Sequence, residues 1–429
     1  MSETSAMRMG ADPTGVGEGY IGRVDRRGLR LPVALVAAAL VAEVAVLVLR
    51  PRAGIIEPTP VSAGSYFTSV QLQRARDYRR PQLALYGGQI VVQGALLILL
   101  VRRPPRRLRG FRRPILAGAA TGAALSVALA VVSLPLGAVS RQRALDVGLV
   151  TQSWAGWGWD LVKSGAIGAG LAAGGSAVLL GLMRRFPRHW WAPASAAAFA
   201  AGAAFLYVGP VVLDPLFNRF QRLPAGPART DVLELARDAG VRVGGVYEVD
   251  ASRRTTAANA YVTGLGATKR VVLFDTLLEH FSRDEVRLVV AHELAHVHYR
   301  DVPRGLLYLA LVGPAAMLAA QRLTERLSPA RGTPAVLPAA ALSLALVSGA
   351  VGTVSNQLSR RVEQRADSFS LDMTGAPKPF IAFEHGIALR NVVDPDPPGW
   401  VVALLGTHPP TVERIGAAVA YERGERARR

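Results

Sequence analysis

The chain has 429 residues, and 50 Lys+Arg against 31 Asp+Glu give it a formal charge of +19. Half of its residues are hydrophobic and only 19 % are charged, below the roughly 25 % of an ordinary soluble domain, which points to a membrane and excludes disorder over most of the length. Cysteine is absent, so disulfide scaffolds, cysteine-ligated zinc, iron–sulfur clusters and thiol nucleophiles are excluded together, and any metal must rest on His, Asp or Glu. Aromatic residues make up 7 %, too few for the base-stacking platforms of a basic single-strand binder. Lysine occurs only at Lys163, Lys269 and Lys378, and the arginine-, alanine-, glycine- and valine-rich remainder hints at a GC-rich bacterial source.

Residues 1–30 are polar and lack the short apolar core and small-residue cleavage site of a signal peptide, so the first apolar segment is expected to remain. Crossing a bilayer takes about 20 apolar residues, and five candidates lie in 31–213, at 31–49, 83–101, 114–136, 161–183 and 190–213. Small-residue pairs at Gly118/Gly122 and Gly170/Gly174 predict close helix packing. Glu43 and the Gln89/Gln93 face predict a polar interior, because an ionisable group at such depth faces protein or water rather than lipid. Residues 214–304 have globular composition with mixed helical and strand patterns. Two more apolar segments, 305–320 and 334–353, form a membrane hairpin across 305–353; the first is the weakest because it is short and holds Pro314. A second polar region, 354–429, ends in an arginine-rich tail. The expected fold class is mainly α: a multi-span helical membrane protein with about seven spans and a small α+β module.

The sharpest signal is VVAHELAHVHYRD at 289–301, which contains His292-Glu293-x-x-His296. Two histidines at i and i+4 share one helical face, so both imidazoles can reach one zinc ion, and the intervening Glu293 can act on water there as general base. Ser282 and Glu285 form a capping box that starts the helix about ten residues earlier. His298 lies about 200° round the helix from His296 and reads as a surface or packing histidine. A catalytic zinc takes three protein ligands and leaves one position open. In NQLSRRVEQRADSF at 356–369, Glu363 and Asp367 share a helix face; Glu363 could be the third ligand and Asp367 could orient a ligand histidine. Spacing alone serves equally well for a solvated charged face with Arg360, Arg361 and Arg365.

HELAH followed by N-x-x-S-R-x-x-E-x-x-A-D resembles the M48 family of integral-membrane zinc metallopeptidases, which includes the Ste24 CAAX proteases. Further stretches are similar to that family: QSWAGWGWDLVKS at 152–164, DPLFNRFQRLP at 214–224, ANAYVTGLGATKRVVLFDTLL at 258–278 and THPPTVERI at 407–415. The resemblance implies one zinc per chain on His292, His296 and Glu363, with Glu293 as general base and Asp367 behind a histidine. It also implies an edge strand at Asn259, Ala260 and Tyr261 that pairs with an extended substrate, and places His408 and Arg414 near the scissile carbonyl. NAYVT and RVVLF, joined through Gly264 and Gly266, read independently as a hairpin. The implied activity is hydrolysis of membrane-associated or extended peptides by metal-activated water, on a peptide or membrane-protein substrate and in a lipid bilayer, with no nucleic-acid partner; oligomeric state stays open.

Because His296 and Glu363 must meet, segments 305–320 and 334–353 either both cross or neither does. In a seven-span chain the loop 102–113, with seven arginines, lies opposite the zinc. By the positive-inside rule that loop alone would put the site outside, whereas the resemblance implies a cytoplasmic site in a bacterial cell membrane, and residues 50–80 carry a rival basic cluster. The opposing functional readings are a channel- or transporter-like membrane protein with structural zinc, which would need four protein ligands, and a nucleic-acid-binding membrane protein, which would need basic clusters interleaved with aromatics.

Overall fold

A computed structural model describes residues 30–105, 112–264 and 269–428. The polar start of the chain, the middle of the arginine loop and Gly266 lie outside them. The first five long helices are α1 Arg30–Leu49, α2 Ser69–Arg102, α3 Pro114–Asp146, α4 Trp154–Arg185 and α5 Trp191–Val208. A mixed segment follows, with β1 Phe220–Arg222, α6 Pro227–Asp238, β2 Gly245–Val249, β3 Ala260–Thr263, β4 Arg270–Phe274, α7 Asp275–His280 and α8 Arg283–His298. The chain then re-enters long helices, α9 Asp301–Leu327 and α10 Leu337–Thr374, and closes with α11 Pro377–Arg390, α12 Gly399–Leu405 and α13 Thr411–Arg428. Among the described residues seven helices are long and apolar enough to cross a membrane, the number expected.

The helices outrun the predicted spans. Hydropathy registers only the lipid-facing stretch, whereas α2, α3, α4 and α10 continue as polar helix beyond it. The start of α2 is fixed by a capping box in which Thr68 and Gln71 bond each other's backbone. Pro314, which weakened the sixth span, sits inside an unbroken α9, as Pro81 and Pro135 sit inside α2 and α3. The fifth span, Trp191–Leu216, covers the predicted stretch but changes helix type within it: α5 stops at Val208 and passes into a π-helical turn over Gly209–Leu213.

Small residues pack as expected at only one of the two predicted pairs. A methyl at Gly118 would collide with Leu180, and one at Gly122 would lie 2.6 Å from the Ala172 carbonyl, so α3 and α4 touch closely there. Gly170 and Gly174 have nothing within 4 Å of a Cβ position, which corrects that expectation: their face of α4 is unpacked among the described residues. The polar face of α2 is largely engaged by α3. Gln93 Nε2 donates to Ser133 Oγ at 2.7 Å, and Gln82 and Ser140 exchange bonds at 3.0 and 2.6 Å. Glu43 of α1 instead accepts from Gln357 of α10 at 3.3 Å.

The sheet has the order β1-β2-β4-β3, with β2 and β4 parallel and the outer strands antiparallel to them. NAYVT and RVVLF do pair as antiparallel β3 and β4, with Gly264 at φ +98° where the chain leaves β3. Alternation along β2 and β4 divides the core. Val246, Val271 and Leu273 face α6 and α8, meeting Val232, Leu235, Val290 and Leu294; Val249 and Val272 pack on the other side with Tyr247 and Tyr261. Each such side chain contributes about 1.5–3 kcal/mol on burial. This core fixes α8 on the sheet, and the polar second half of α10 packs along α8.

Candidate metal centre

Helix α8 starts at the capping box foreseen, with Glu285 Oε2 accepting from the Ser282 amide at 2.7 Å. Its 16 residues carry His292 and His296 one turn apart on one face, ring centroids 5.0 Å apart. Helix α10 brings Glu363 to them. Its Oε2 lies 3.2 Å from His292 Nε2 and its Oε1 3.8 Å from His296 Nε2. One donor atom from each of the three lies within 4.8 Å of the others. Glu363 Oε2 is buried without a hydrogen-bond partner, and such an atom calls for a ligand or ion.

Both histidines are held from behind. His292 Nδ1 lies 2.9 Å from Asp367 Oδ1, and His296 Nδ1 lies 3.0 Å from Asp301 Oδ2. An ionised carboxylate only accepts hydrogen bonds, so each Nδ1 carries a proton, and Nε2, on the side of Glu363, is the ring atom that would bind an ion. Two imidazole nitrogens and one carboxylate oxygen are the donor set of a catalytic zinc site with one position left open, and the residues present fit that ion. Burial works against a charged His292 ring, but the carboxylates of Asp367 and Glu363 beside it outweigh burial and hold the pKa up at about 10, so the pocket favours positive charge at the place an ion would take.

Glu293 stands beside His292 on α8, at the head of a cleft of about 810 Å³ whose walls include Asn259, Tyr261, Phe274, His296 and Val302. Burial raises its carboxyl above the usual carboxylate range, against the pull of His292 and His296, as a proton-accepting group near neutral pH requires. Among the described residues strand β3 has a sheet neighbour on one side only, through Ala260↔Leu273 and Tyr261↔Val272. Asn259 precedes it, its carbonyl accepting from the Phe274 amide at 3.1 Å. His408 Nε2 lies 3.3 Å from Glu363 Oε2 with the side chain 60 % exposed, so it stands at the mouth of the site. Its loop is pinned by Arg360, which donates to the carbonyls of Val402 and Gly406 at 2.9 and 2.6 Å.

Arg414 is differently placed from the substrate contact expected. It donates to both oxygens of Asp367 and lies 2.7 Å from Glu384 Oε1, enclosed between two buried carboxylates. This corrects the expectation: the guanidinium is engaged behind His292, not presented to the cleft. His298 is exposed with its Nδ1 2.9 Å from the Ala239 carbonyl and its ring against Phe369, a packing histidine as read.

The sequence reading gives three residues at the centre no role in the site: Asp301, Arg365 and Glu384. Asp301 closes the recognised motif, but only the left-handed backbone of Arg300, at φ 56°, returns it to His296. Arg365 was grouped with a solvated face, yet it is buried and bonded to Asp301. Glu384 carried a legible signal, an acid on the apolar stripe Phe380, Phe383, Ala388 of α11.

Comparisons agree with this arrangement. The family model for peptidase family M48 matches residues 224–422. The uncharacterized metalloprotease YhfN of Bacillus subtilis is 33% identical over 307 residues, 70% of this chain and 72% of that one. The chain belongs to peptidase family M48. This M48 metalloprotease is also 30% identical over 232 residues to a CAAX prenyl protease 1 homolog of Oryza sativa, spanning 53% of that protein's length. Its fold is that of Ste24p from S. mikatae, whose crystal structure it matches with a TM-score of 0.71 over 91% of this chain and 99% of that one, at 19% identity. It is a multi-pass membrane protein with the seven candidate spans described above.

Proposed function

We propose that the chain is a membrane-embedded zinc endopeptidase that cleaves membrane-associated or extended peptides, with His292, His296 and Glu363 as zinc ligands. The observation that carries this reading is the convergence of two Nδ1-anchored histidines and an unpartnered buried carboxylate oxygen beside Glu293. Zinc at such a site supplies a Lewis acid and lowers the pKa of water toward about 7. The rest is the work of the chain's own residues. Glu293 takes the proton of the attacking water and passes it to the leaving amine nitrogen. The outer edge of β3 at Asn259, Ala260 and Tyr261 offers backbone groups to an extended peptide lying along the 810 Å³ cleft. His408, exposed at the mouth of the site, donates to the carbonyl oxygen as negative charge develops there. Asp367 fixes the His292 ring, and Arg414 with Glu384 fixes Asp367.

The functional parts divide as a five-span region 31–213, catalytic segments 214–304 and 354–429, and the hairpin 305–353, with the site on the cytoplasmic side of a bacterial cell membrane. Contacts support one side for residues 69–80 and the catalytic segments: Arg79 donates to the Val392 and Asn391 carbonyls at 2.7 and 2.9 Å. Reporter fusions should read cytoplasmic at the C-terminus and opposite at residue 108; a cytoplasmic result at 108 overturns the orientation. The activity itself is tested with detergent-purified protein on a panel of prenylated and unprenylated peptides, with and without chelator. Cleavage that the chelator abolishes and zinc restores is expected; zinc-loaded protein that cleaves no member contradicts the reading.

A further inference from the structure

We infer that Asp301 is the positioning residue of His296 and that Arg365 sets Asp301, so the second metal ligand is aimed from the ends of the two helices, α9 and α10, that continue into the membrane hairpin. This rests on the zinc reading of the site and adds residues that reading does not use.

The backbone arranges the contact. Helix α8 ends at His298, and Arg300 takes a left-handed conformation at φ 56° and ψ 46° before α9 begins at Asp301. For a residue with a Cβ that conformation is strained, and it persists where surrounding contacts over-determine it. It lets two long helices follow one another almost without a loop, which turns the first side chain of α9 back over the last turn of α8. There Asp301 Oδ2 meets His296 Nδ1 at 3.0 Å.

Asp301 is itself held. Its other oxygen accepts from Arg365 Nη2, and the Arg365 guanidinium lies 4.0 Å from the Tyr299 ring centroid, a stacking contact that removes its freedom to swing away. Arg365 is only 5% exposed, and Arg304, one turn into α9, is too distant from Asp301, at 4.0 Å, to replace it. The chain of contacts is therefore Arg365, Asp301, His296, with the lone pair of Nε2 as its outcome. Since Glu363 lies two residues before Arg365 on α10, one helix supplies a ligand directly and aims a second through α9. A shift of α9 against α10 would turn the His296 ring as well as move Glu363.

Equilibrium zinc affinity of the purified full-length protein, measured by competition with a chromophoric chelator, tests this without recourse to activity. Asp301→Ala is expected to weaken zinc about 10–100-fold. Asp301→Asn keeps an oxygen that accepts from Nδ1 and is expected to lose less, while the visible d–d spectrum of its cobalt form shifts as the His296 ring field changes. Should Asp301→Ala not fold, Asp301→Asn decides: unchanged affinity together with an unchanged cobalt spectrum overturns the inference. So does Asp301→Ala within twofold of the parent, or equal losses in the Ala and Asn variants, which would assign the effect to charge in place of aim. His296→Ala and Glu363→Ala run alongside. If these keep parental zinc affinity the zinc reading itself fails; if they lose zinc while Asp301 variants do not, only the present inference fails.

Discussion

The two histidines of the centre are one helical turn apart on α8, yet they are supported from opposite directions. His292 leans on Asp367, which Arg414 of α13 and Glu384 of α11 enclose in a buried cluster of alternating charge. His296 leans on Asp301, the first residue of a membrane helix, and through it on Arg365. The two carboxylates of the first support are buried: Asp367 is 2% and Glu384 1% exposed. The carboxylate of the second, Asp301, is shallower, its side chain 10% exposed, and it begins a helix of the hairpin. A deep support fixes a ligand at the expense of tolerance to change, whereas a shallow one couples the ligand to the element that carries it. The difference teaches that a metal site with equivalent-looking ligands can have one anchored in the fold and one answerable to the membrane helices.

The largest expected effect follows from the deep support. Asp367→Ala leaves Arg414 and Glu384 buried around a missing charge and should cost about 3–5 kcal/mol of stability, read in thermal unfolding of the detergent-solubilised protein along with loss of zinc. A variant as stable as its parent would remove the distinction between the two supports. Next, His408→Ala should lower kcat about 10²–10³-fold while leaving zinc affinity unchanged, because His408 belongs to neither support; parallel loss of zinc would move it into the ligand set. Arg365→Ala should weaken zinc less than Asp301→Ala does, since Asp301 then keeps its bond to His296 but loses its brace. An equal or larger loss would show that Arg365 acts through Glu363 on its own helix.

The smallest effect lies at the other end of α8 and serves as a reference. Asp231 of α6 accepts from Arg283 at 2.6 and 2.7 Å and from Arg287 at 2.8 Å, and these bonds lower its carboxyl pKa against the opposing effect of burial. A carboxyl whose folded pKa is depressed contributes stability above its unfolded value of about 3.9, and that contribution is lost as pH falls through the lower folded value. Denaturant unfolding between pH 5 and pH 3 should therefore show a loss that Asp231→Asn flattens. Zinc affinity at pH 7 should be the same in both.

Much of this was legible in the residues. The span count, the helix start at Ser282, the hairpin of β3 and β4, and the pairing of His292 with His296 follow from patterns that are local: apolar runs, a capping box, alternation, an i, i+4 pair; Glu363 joins them only through the family resemblance, since its spacing serves a solvated face equally well. The misread features depend on what lies across from a helix. Gly170 and Gly174 have the same spacing as Gly118 and Gly122, but α4 turns only one of its faces to α3. Arg414 near a late histidine reads as a substrate contact until α11 supplies Glu384. Asp301 could not be assigned at all, because its contact depends on a single left-handed residue that an arginine gives no sign of adopting.

The central claim is that this centre hydrolyses peptide bonds with Glu293 moving the proton, and Glu293→Gln tests it most directly. The amide keeps the side chain's shape but cannot accept a proton as a carboxylate does, and Glu293 is not among the three proposed ligands. Zinc content and peptide cleavage should be measured on the same preparation. A full complement of zinc and cleavage reduced by at least about 10²-fold are expected; a zinc-loaded Glu293→Gln protein that cleaves at the parental rate would rule out this role for Glu293.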